Sequence, residues 1–198
     1  MHNLKFIIIL FMITIYNCKE SEFILQEVDP ASKPAIMNAG HQSANLLVVT
    51  LKSKVIEAIG QGGPLNAVTV CNKQGLILTD SIARHTRHVL NIRRTSYKYR
   101  NPKNRPDTID REVLNSFVKA DKADKPRLYR VIQGDSLYYR YYQPLKIGGL
   151  CVTCHGKPET MDKMLVEKIK QVYPGDMAQG YGVGDFRGVV CVSIEEIN

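Results

Sequence analysis

The chain has 198 residues, of which 44% are hydrophobic, so it can bury one ordinary core and needs no second domain. Its five cysteines are too few for a disulfide framework of the kind that holds small secreted proteins together. The net charge of +8 favours an anionic partner, such as phospholipid headgroups, an acidic protein or a small anionic ligand, and nucleic acid is a further candidate.

Residues 1–18 have the pattern of an export signal. Lys5 precedes an uncharged apolar run over residues 6–15, which is shorter than the ~20 residues that span a bilayer. Tyr16 and Asn17 stand where an ordinary signal peptidase site has small residues, and the segment looks like a lipoprotein signal that ends at Cys18. We therefore expect Cys18 to carry lipid and to hold the protein at a membrane surface in the periplasm or cell envelope. An ordinary secreted protein and an uncleaved anchor are the alternatives.

Residues 19–34 contain two prolines and no apolar period, which predicts a tether, and residues 35–198 form the domain. A long amphipathic helix is predicted from Ala35 to about Ile59, because apolar residues recur at every fourth position. Glycines at positions 60, 62 and 63, followed by Pro64, end it. Residues 65–72 fit a strand or a short helix equally well.

The remaining elements alternate between strands and helices. The sequence predicts a strand over Val89–Thr95, a β-hairpin over 128–143 with a turn at Gly134-Asp135, and a closing strand over 189–194. Two helices are predicted, one starting at Pro106-Asp107 and one over 161–172. The buried stripe of the first of these helices is expected to consist of Val113, Leu114, Phe117 and Val118.

Residues 151–155 read Cys-Val-Thr-Cys-His, the C-x-x-C-H pattern of c-type haem attachment. In such a site the two thiols, here Cys151 and Cys154, form thioethers with the haem vinyl groups, and the histidine, here His155, binds the iron. The sequence therefore predicts one covalently bound haem c. The export signal agrees with this prediction, because bacterial cytochromes c receive their haem outside the cytoplasm.

Three other uses of this motif compete with haem. A structural zinc site would need two further ligands, and the spacing of His85 and His88 is tighter than that of zinc fingers. A thioredoxin-like redox pair would open a helix in a β-α-β unit, whereas this pair follows Gly148-Gly149 in a predicted loop. A purely structural disulfide would give the histidine no function.

A basic segment runs from residue 93 to residue 105, with six basic residues, two tyrosines and no acid. Such a pattern is common in nucleic-acid binding, but export makes nucleic acid an improbable partner. Arginine and lysine also pair with carboxylates, including the propionates of haem. We expect such contacts from Arg93, Arg94, Lys98 and Arg100, the alternative being a solvated loop.

Cys71 admits two interpretations from the residues alone. It is a buried small hydrophobic residue or one half of a disulfide with Cys191 in the closing strand.

Several stretches together resemble the PAS-like c-type haem domain family, whose members occur alone or fused to histidine kinases and chemoreceptors. They are residues 93–107, 141–144, 151–158, 173–176 and 184–188. The resemblance implies an α+β fold in which a PAS-like antiparallel sheet lies behind a long N-terminal helix with flanking helices. It also implies a haem-based sensor.

The family resemblance further implies the two axial ligands of the iron. His155 would be the proximal ligand and Cys71 the distal ligand. The chain departs from the family at Cys191, where a small residue is expected, and a Cys71–Cys191 disulfide would remove the distal ligand. The substitutes would then be Met177, Met161 or His88.

These observations predict an exported haem protein that senses redox state or a diatomic gas and passes its signal to an unidentified redox or signalling protein. The alternative is a periplasmic electron-transfer cytochrome c. A small haem peroxidase would need an open distal site, which Cys71 would close, so we expect no enzymatic activity.

Overall fold

The computed structural model describes residues 22–120 and 124–197. Within these residues five strands form one antiparallel sheet in the order β1-β3-β4-β5-β2. The strands are β1 (Phe23–Gln26), β2 (Val89–Thr95), β3 (Arg127–Gln133), β4 (Ser136–Lys146) and β5 (Phe186–Ile194). The helices are α1 (Lys33–His85), α2 (Thr108–Val118), α3 (Val152–His155) and α4 (Lys163–Val172). The α+β architecture with a long N-terminal helix agrees with the sequence prediction.

The centre of the sheet is the β3–β4 hairpin, which turns at Gly134. Gly134 has a φ of +57°, a conformation that glycine adopts without steric cost. Alternate residues of a strand point to opposite faces of a sheet, so the tyrosines of β4 divide between the two faces. Tyr139 and Tyr141 pack on the α1 side, and Tyr142 packs on the α2 side.

Each face of the sheet therefore has its own hydrophobic core. On one face Ile36 and Leu47 of α1 pack against Tyr141 and neighbouring strand residues. On the other face Leu114 and Phe117 of α2 pack against the strands. These side chains are almost completely buried, and each such burial contributes roughly 1.5–3 kcal/mol. The two faces thus provide separate environments for side chains that alternate along a single strand.

Helix α1 turns back on itself in the middle. Leu51 and Leu78 line the same cavity, although 27 residues of straight helix would separate them by about 40 Å. The turn lies at Gly62 and Gly63, whose dihedral angles are not helical. The turn divides α1 into a first arm, residues 33–61, and a second arm, residues 64–85. Residues 65–72, for which the sequence favoured neither strand nor helix, are helical and belong to the second arm. The turn carries Cys71 back along the first arm.

The first arm of α1 approaches the sheet most closely at Gly40. A Cβ atom at this position would overlap the ring of Tyr141, so the absence of a side chain sets the distance between helix and sheet. Close packing of this kind makes the core intolerant of added volume.

Two features differ from the sequence expectations. Phe23–Gln26 lie inside the segment expected to be a tether, yet they form β1 and pair with β3. The edge of β3 offers unpaired backbone groups to this segment, a partner that local sequence does not reveal. Val118 was expected in the buried stripe of α2, but it is 63% exposed. It lies at the edge of that stripe, whose buried members include Val113 and Phe117.

The predicted signal and Cys18 lie outside the described residues. Among the residues that are described, no helix combines the length and the apolar content needed to cross a membrane.

We predict that Gly63→Ala lowers the free energy of unfolding by about 1–3 kcal/mol, because its φ of +70° and ψ of −172° are essentially restricted to glycine. Urea or thermal unfolding measures this loss. Gly60→Ala is the matched control: it lies in regular helix with open space around its Cα, so alanine should be neutral or stabilising. Equal stabilities of the two variants would contradict a required turn at Gly63.

Candidate functional site

The C-x-x-C-H motif forms a short helical segment. A 3₁₀ turn over Gly149–Cys151 leads into α3, and Gly156 ends it by donating its backbone N–H to the carbonyl of Val152 at 2.8 Å. Positions three residues apart lie on one side of a helix, so Cys151 and Cys154 share a side. Cys151 is exposed and Cys154 is half-buried. Both thiols can therefore reach one planar ligand.

The loop over residues 176–181 fixes His155 in one orientation. The Nδ1 atom lies 2.7 Å from the carbonyl oxygen of Ala178, and the backbone N–H of Tyr181 donates to the carbonyl of His155 at 3.0 Å. A carbonyl can only accept, so Nδ1 carries the proton and Nε2 keeps its lone pair. Burial, reinforced by the charges of Arg100 and Arg187, lowers the pKa of His155 to about 3. His155 is therefore a neutral donor at pH 7, the form that binds a metal.

Arg100 connects the motif to this loop. Its Nε and Nη2 atoms donate to Asp176 Oδ1 and Oδ2, both at 3.1 Å, and Nη2 also donates to the carbonyl of Cys154 at 2.6 Å. Asp176 in turn accepts from the backbone N–H of Ala178 at 2.8 Å. Burial alone would raise the pKa of Asp176, but the hydrogen bonds and charge of Arg100 outweigh it and lower that pKa. Arg100 thus acts as a structural bridge, with its guanidinium already occupied.

Arg93 and Lys98 are also engaged elsewhere. Arg93 lies on the α2 face of the sheet, where Nη2 is 3.2 Å from Asp107 Oδ2 and also contacts the fully buried Asp110. Lys98 Nζ donates to the carbonyl of Gln179 and lies 4.4 Å from the centre of the Tyr181 ring. The charge of Arg93 is thus balanced by two carboxylates, whereas the contacts of Lys98 orient its ammonium group without neutralising it.

Arg94 differs from these three residues. It points to the α1 face, where its Nη2 atom packs against Gly75. Its Nε atom is buried and has no hydrogen-bond partner among the described residues. A buried cation of this kind is costly unless an anion approaches it, so Arg94 keeps its place as a candidate for binding a carboxylate.

Two adjoining cavities meet at Arg94. One, of about 160 Å³, is lined by His155 and Arg187 among others, and a smaller one, of about 40 Å³, is lined by Cys71 and Gly75. Arg94 borders both. Helix α1 and the motif are thus brought together around one guanidinium. A third cavity, of about 610 Å³, lies between β1, β3 and the end of α2, away from these groups.

Cys71 lies on the second arm of α1, near the motif. Burial raises the pKa of its thiol, and the positive charges of Arg94 and Arg100 offset only part of this increase. Burial raises the pKa of Cys154, and a charge on Cys71 would raise it further, as expected for neighbouring sulfurs. Cys71 is exposed as a residue, although its thiol group is partly buried.

The disulfide between Cys71 and Cys191 is not formed. Cys71, Cys151, Cys154 and Cys191 are all free thiols. Cys191 is buried against Phe117 on the α2 face of the sheet, whereas Cys71 is on α1, which covers the opposite face.

The other candidate ligands are dispersed. His85 Nδ1 lies 2.7 Å from the carbonyl of Ser81, and His88 pairs with Glu195 at 2.9 Å. Within the described residues, no group of three or more histidine, cysteine or acidic side chains is placed to hold a metal ion. Met161 packs against the same hydrophobic cluster as Cys154, and Met177 is 41% exposed.

Comparison with known proteins identifies the family. The model of the Tll0287-like family matches residues 20–195. The chain belongs to the Tll0287-like family. Its fold is similar to that in the "Crystal structure of the cyanobacterial heme-protein Tll0287", with a TM-score of 0.57 and 24% identity over 86% of this chain and 99% of that chain. No curated protein matches the chain. The family resemblance drawn from the motifs is thereby confirmed.

The donor set of this Tll0287-like chain has the chemistry that a haem requires. Two neighbouring thiols directly precede a neutral histidine with a free Nε2, and this histidine lines one cavity with Arg94, whose buried Nε atom has no hydrogen-bond partner among the described residues. The adjoining cavities, of about 160 and 40 Å³, are smaller than the ~300–1,000 Å³ of an enclosing ligand pocket, so they could enclose only part of a haem-sized ligand.

Sequence reasoning missed the roles of Asp176 and Arg187. Both lie in stretches that carried the family resemblance, 173–176 and 184–188, but local pattern did not show what either residue contacts. Only the folded chain brings Asp176 to Arg100 and Arg187 to the cavity of His155.

We predict that Asp176→Asn destabilises the protein by about 3–5 kcal/mol at neutral pH, because it leaves the charge of Arg100 unpaired in a site where the two side chains are only 2% and 13% exposed. The depressed pKa of Asp176 means that its stabilising effect is present above the ordinary value of 3.8 and is lost as the pH falls further. Urea unfolding at pH 7 and pH 3 should therefore show the difference from wild type shrinking at the lower pH.

Asp185→Asn is the control for this prediction. Asp185 lies near the same loop and accepts from the backbone N–H of Gly182 at 2.7 Å, without a salt bridge to arginine among the described residues. A loss of stability equal to that of Asp176→Asn would show that the Arg100 pair has no special importance.

Proposed function

We propose that the chain binds one haem c covalently, through thioethers at Cys151 and Cys154. The observation that carries this proposal is the geometry of His155, which is neutral and has a free Nε2 atom directly after the two cysteines. The similarity to the haem protein Tll0287 supports it. The bound group would supply one-electron redox chemistry and a coordination position for a small gas.

Axial ligation by His155 and Cys71 is the second part of the proposal. The thiol of Cys71 has a raised pKa, so it carries a proton when it ligates nothing. A coordinating sulfur gives up that proton, with Arg94 and Arg100 stabilising the negative charge that results. The two protonation states of Cys71 would then correspond to a ligating and a released sulfur.

Sensing of redox state or of a diatomic gas follows from this exchange. Cys71 is exposed and belongs to the second arm of α1, so its release would change the contacts of an arm that also packs on α4. We propose that an unidentified redox or signalling protein reads this change. The alternative is electron transfer in the periplasm, which the exposure of Cys151 favours because a haem attached there would present an edge to a partner.

We further propose that the protein is exported and held at the cell envelope by lipid on Cys18, on the basis of the signal pattern in residues 1–18. Nucleic acid is not an expected partner outside the cytoplasm. No enzymatic activity is proposed, because ligation by Cys71 would close the distal side.

We expect the haem to remain with the denatured protein after acid-acetone extraction, because thioether bonds do not dissociate. The haem content of the protein and of the solvent measures this. Cys151→Ala together with Cys154→Ala should release any haem to the solvent and leave a protease-sensitive chain. Full recovery of haem from the wild type would refute covalent attachment.

Cys71→Ala should keep the covalent haem but change the ferric absorption and EPR spectra and raise the reduction potential, because a thiolate stabilises ferric iron. It should also let added imidazole or cyanide bind. Cys191→Ala, which removes a thiol on the opposite face, is the control and should leave all three unchanged. If Cys71→Ala behaves as wild type while Met177→Ala changes spectrum and potential, Cys71 is not the ligand and the electron carrier becomes the better proposal.

Cells supplied with labelled palmitate should incorporate label into the wild-type protein, and Cys18→Ser should accumulate as an unlabelled precursor. Absence of label from the wild type would favour a plain secreted form.

A further inference from the structure

The cavity beside His155 has an unbalanced positive charge. Three arginines line it, at positions 94, 100 and 187, and no acidic residue is among its described lining residues. Asp176 balances the charge of Arg100. The charges of Arg94 and Arg187 have no such partner, because neither residue forms a salt bridge within the described part of the chain.

The surroundings of Arg94 give its guanidinium space but no anionic partner among the described residues. The Nη2 atom lies 3.1 Å from the position that a Cβ atom would occupy on Gly75, so the missing side chain makes the space for the guanidinium. Burial lowers the pKa of Arg94. Desolvating an unpaired cation is unfavourable, and a carboxylate in the adjoining cavity would offset much of that penalty.

Arg187 approaches the same cavity from β5. Its Nη1 atom donates to the carbonyl of Lys98 at 2.9 Å, and its guanidinium carbon lies 5.4 Å from the centre of the Tyr181 ring. These contacts orient the guanidinium without neutralising it. Two oriented guanidinium groups at one cavity can each donate two parallel hydrogen bonds to a carboxylate.

We propose that this cavity is a carboxylate-binding site formed by Arg94 and Arg187. One possible source of the carboxylate is a haem propionate, and in that case the inference rests on the proposed function. A free short-chain carboxylate is the second source with the same chemistry. The proposal adds Arg187 as the partner of Arg94, because Arg93 and Arg100 are already paired with carboxylates and Lys98 does not line this cavity.

The experiment uses the full-length protein with attached haem and four variants: Arg94→Gln, Arg94→Lys, Arg187→Gln and, as the control, Arg87→Gln. Arg87 is exposed, so its variant removes the same charge away from the cavity. The propionate bending mode in the resonance Raman spectrum and the reduction potential are measured for each. Thermal unfolding is measured in sodium acetate and in sodium chloride of equal concentration.

A haem propionate at the site predicts a shifted bending mode in Arg94→Gln and in Arg187→Gln but not in Arg87→Gln. Losing a cation beside the haem favours the ferric state, so the first two variants should also have a lower potential, by on the order of tenfold in the redox equilibrium, or 59 mV for one electron. Arg94→Lys should recover the potential but not the bending mode, because lysine keeps the charge and loses the fork.

A free carboxylate at the site predicts unchanged bending modes and a stabilisation by acetate over chloride that Arg94→Gln abolishes. The proposal is overturned if neither the bending mode nor the acetate effect depends on Arg94 and Arg187. A protein that carries no attached haem would instead sink the proposed function, and the acetate measurement alone would then decide this inference.

Discussion

The bridge from Arg100 to Asp176 is the interaction on which the site depends. One guanidinium binds a carboxylate in the 176–181 loop and the carbonyl of Cys154 in the motif. In the same loop the carbonyl of Ala178 accepts a hydrogen bond from Nδ1 of His155. The tautomer of the histidine is therefore set by a loop whose position a buried ion pair maintains. Because the pair is almost fully desolvated, breaking it would leave a charge that water cannot easily reach.

The alternation of β2 divides two neighbouring arginines between unrelated environments. Arg93 faces α2 and is compensated by Asp107 and Asp110, while Arg94 faces α1 and has no acidic partner among the described residues. Adjacent side chains in a strand point to opposite faces of the sheet, so two arginines that are neighbours in the sequence have different roles in the fold. One arginine stabilises the α2 interface, and the other supplies charge to the cavities.

The turn at Gly62 and Gly63 has a comparable effect on the cysteines. It reverses α1, so that Cys71 returns along the first arm to the region of Arg94, while Cys191 stays on the far side of the sheet. The sequence alone allowed either a disulfide between Cys71 and Cys191 or two free thiols. The sheet between the two residues decides in favour of free thiols, since it separates the faces to which they belong.

Local patterns determined a large part of this protein. The strand Val89–Thr95, the hairpin at Gly134, the stripe of α2 and the C-x-x-C-H motif follow from periodicities, turn residues and spacings that act over a few residues. Non-local contacts were invisible at that level: the pairing of β1, the reversal of α1, the Arg100–Asp176 bridge and the entry of Arg187 into the cavity. Each joins residues far apart in the chain, and its energy comes from burial and charge pairing that exist only once the sheet and helices have packed.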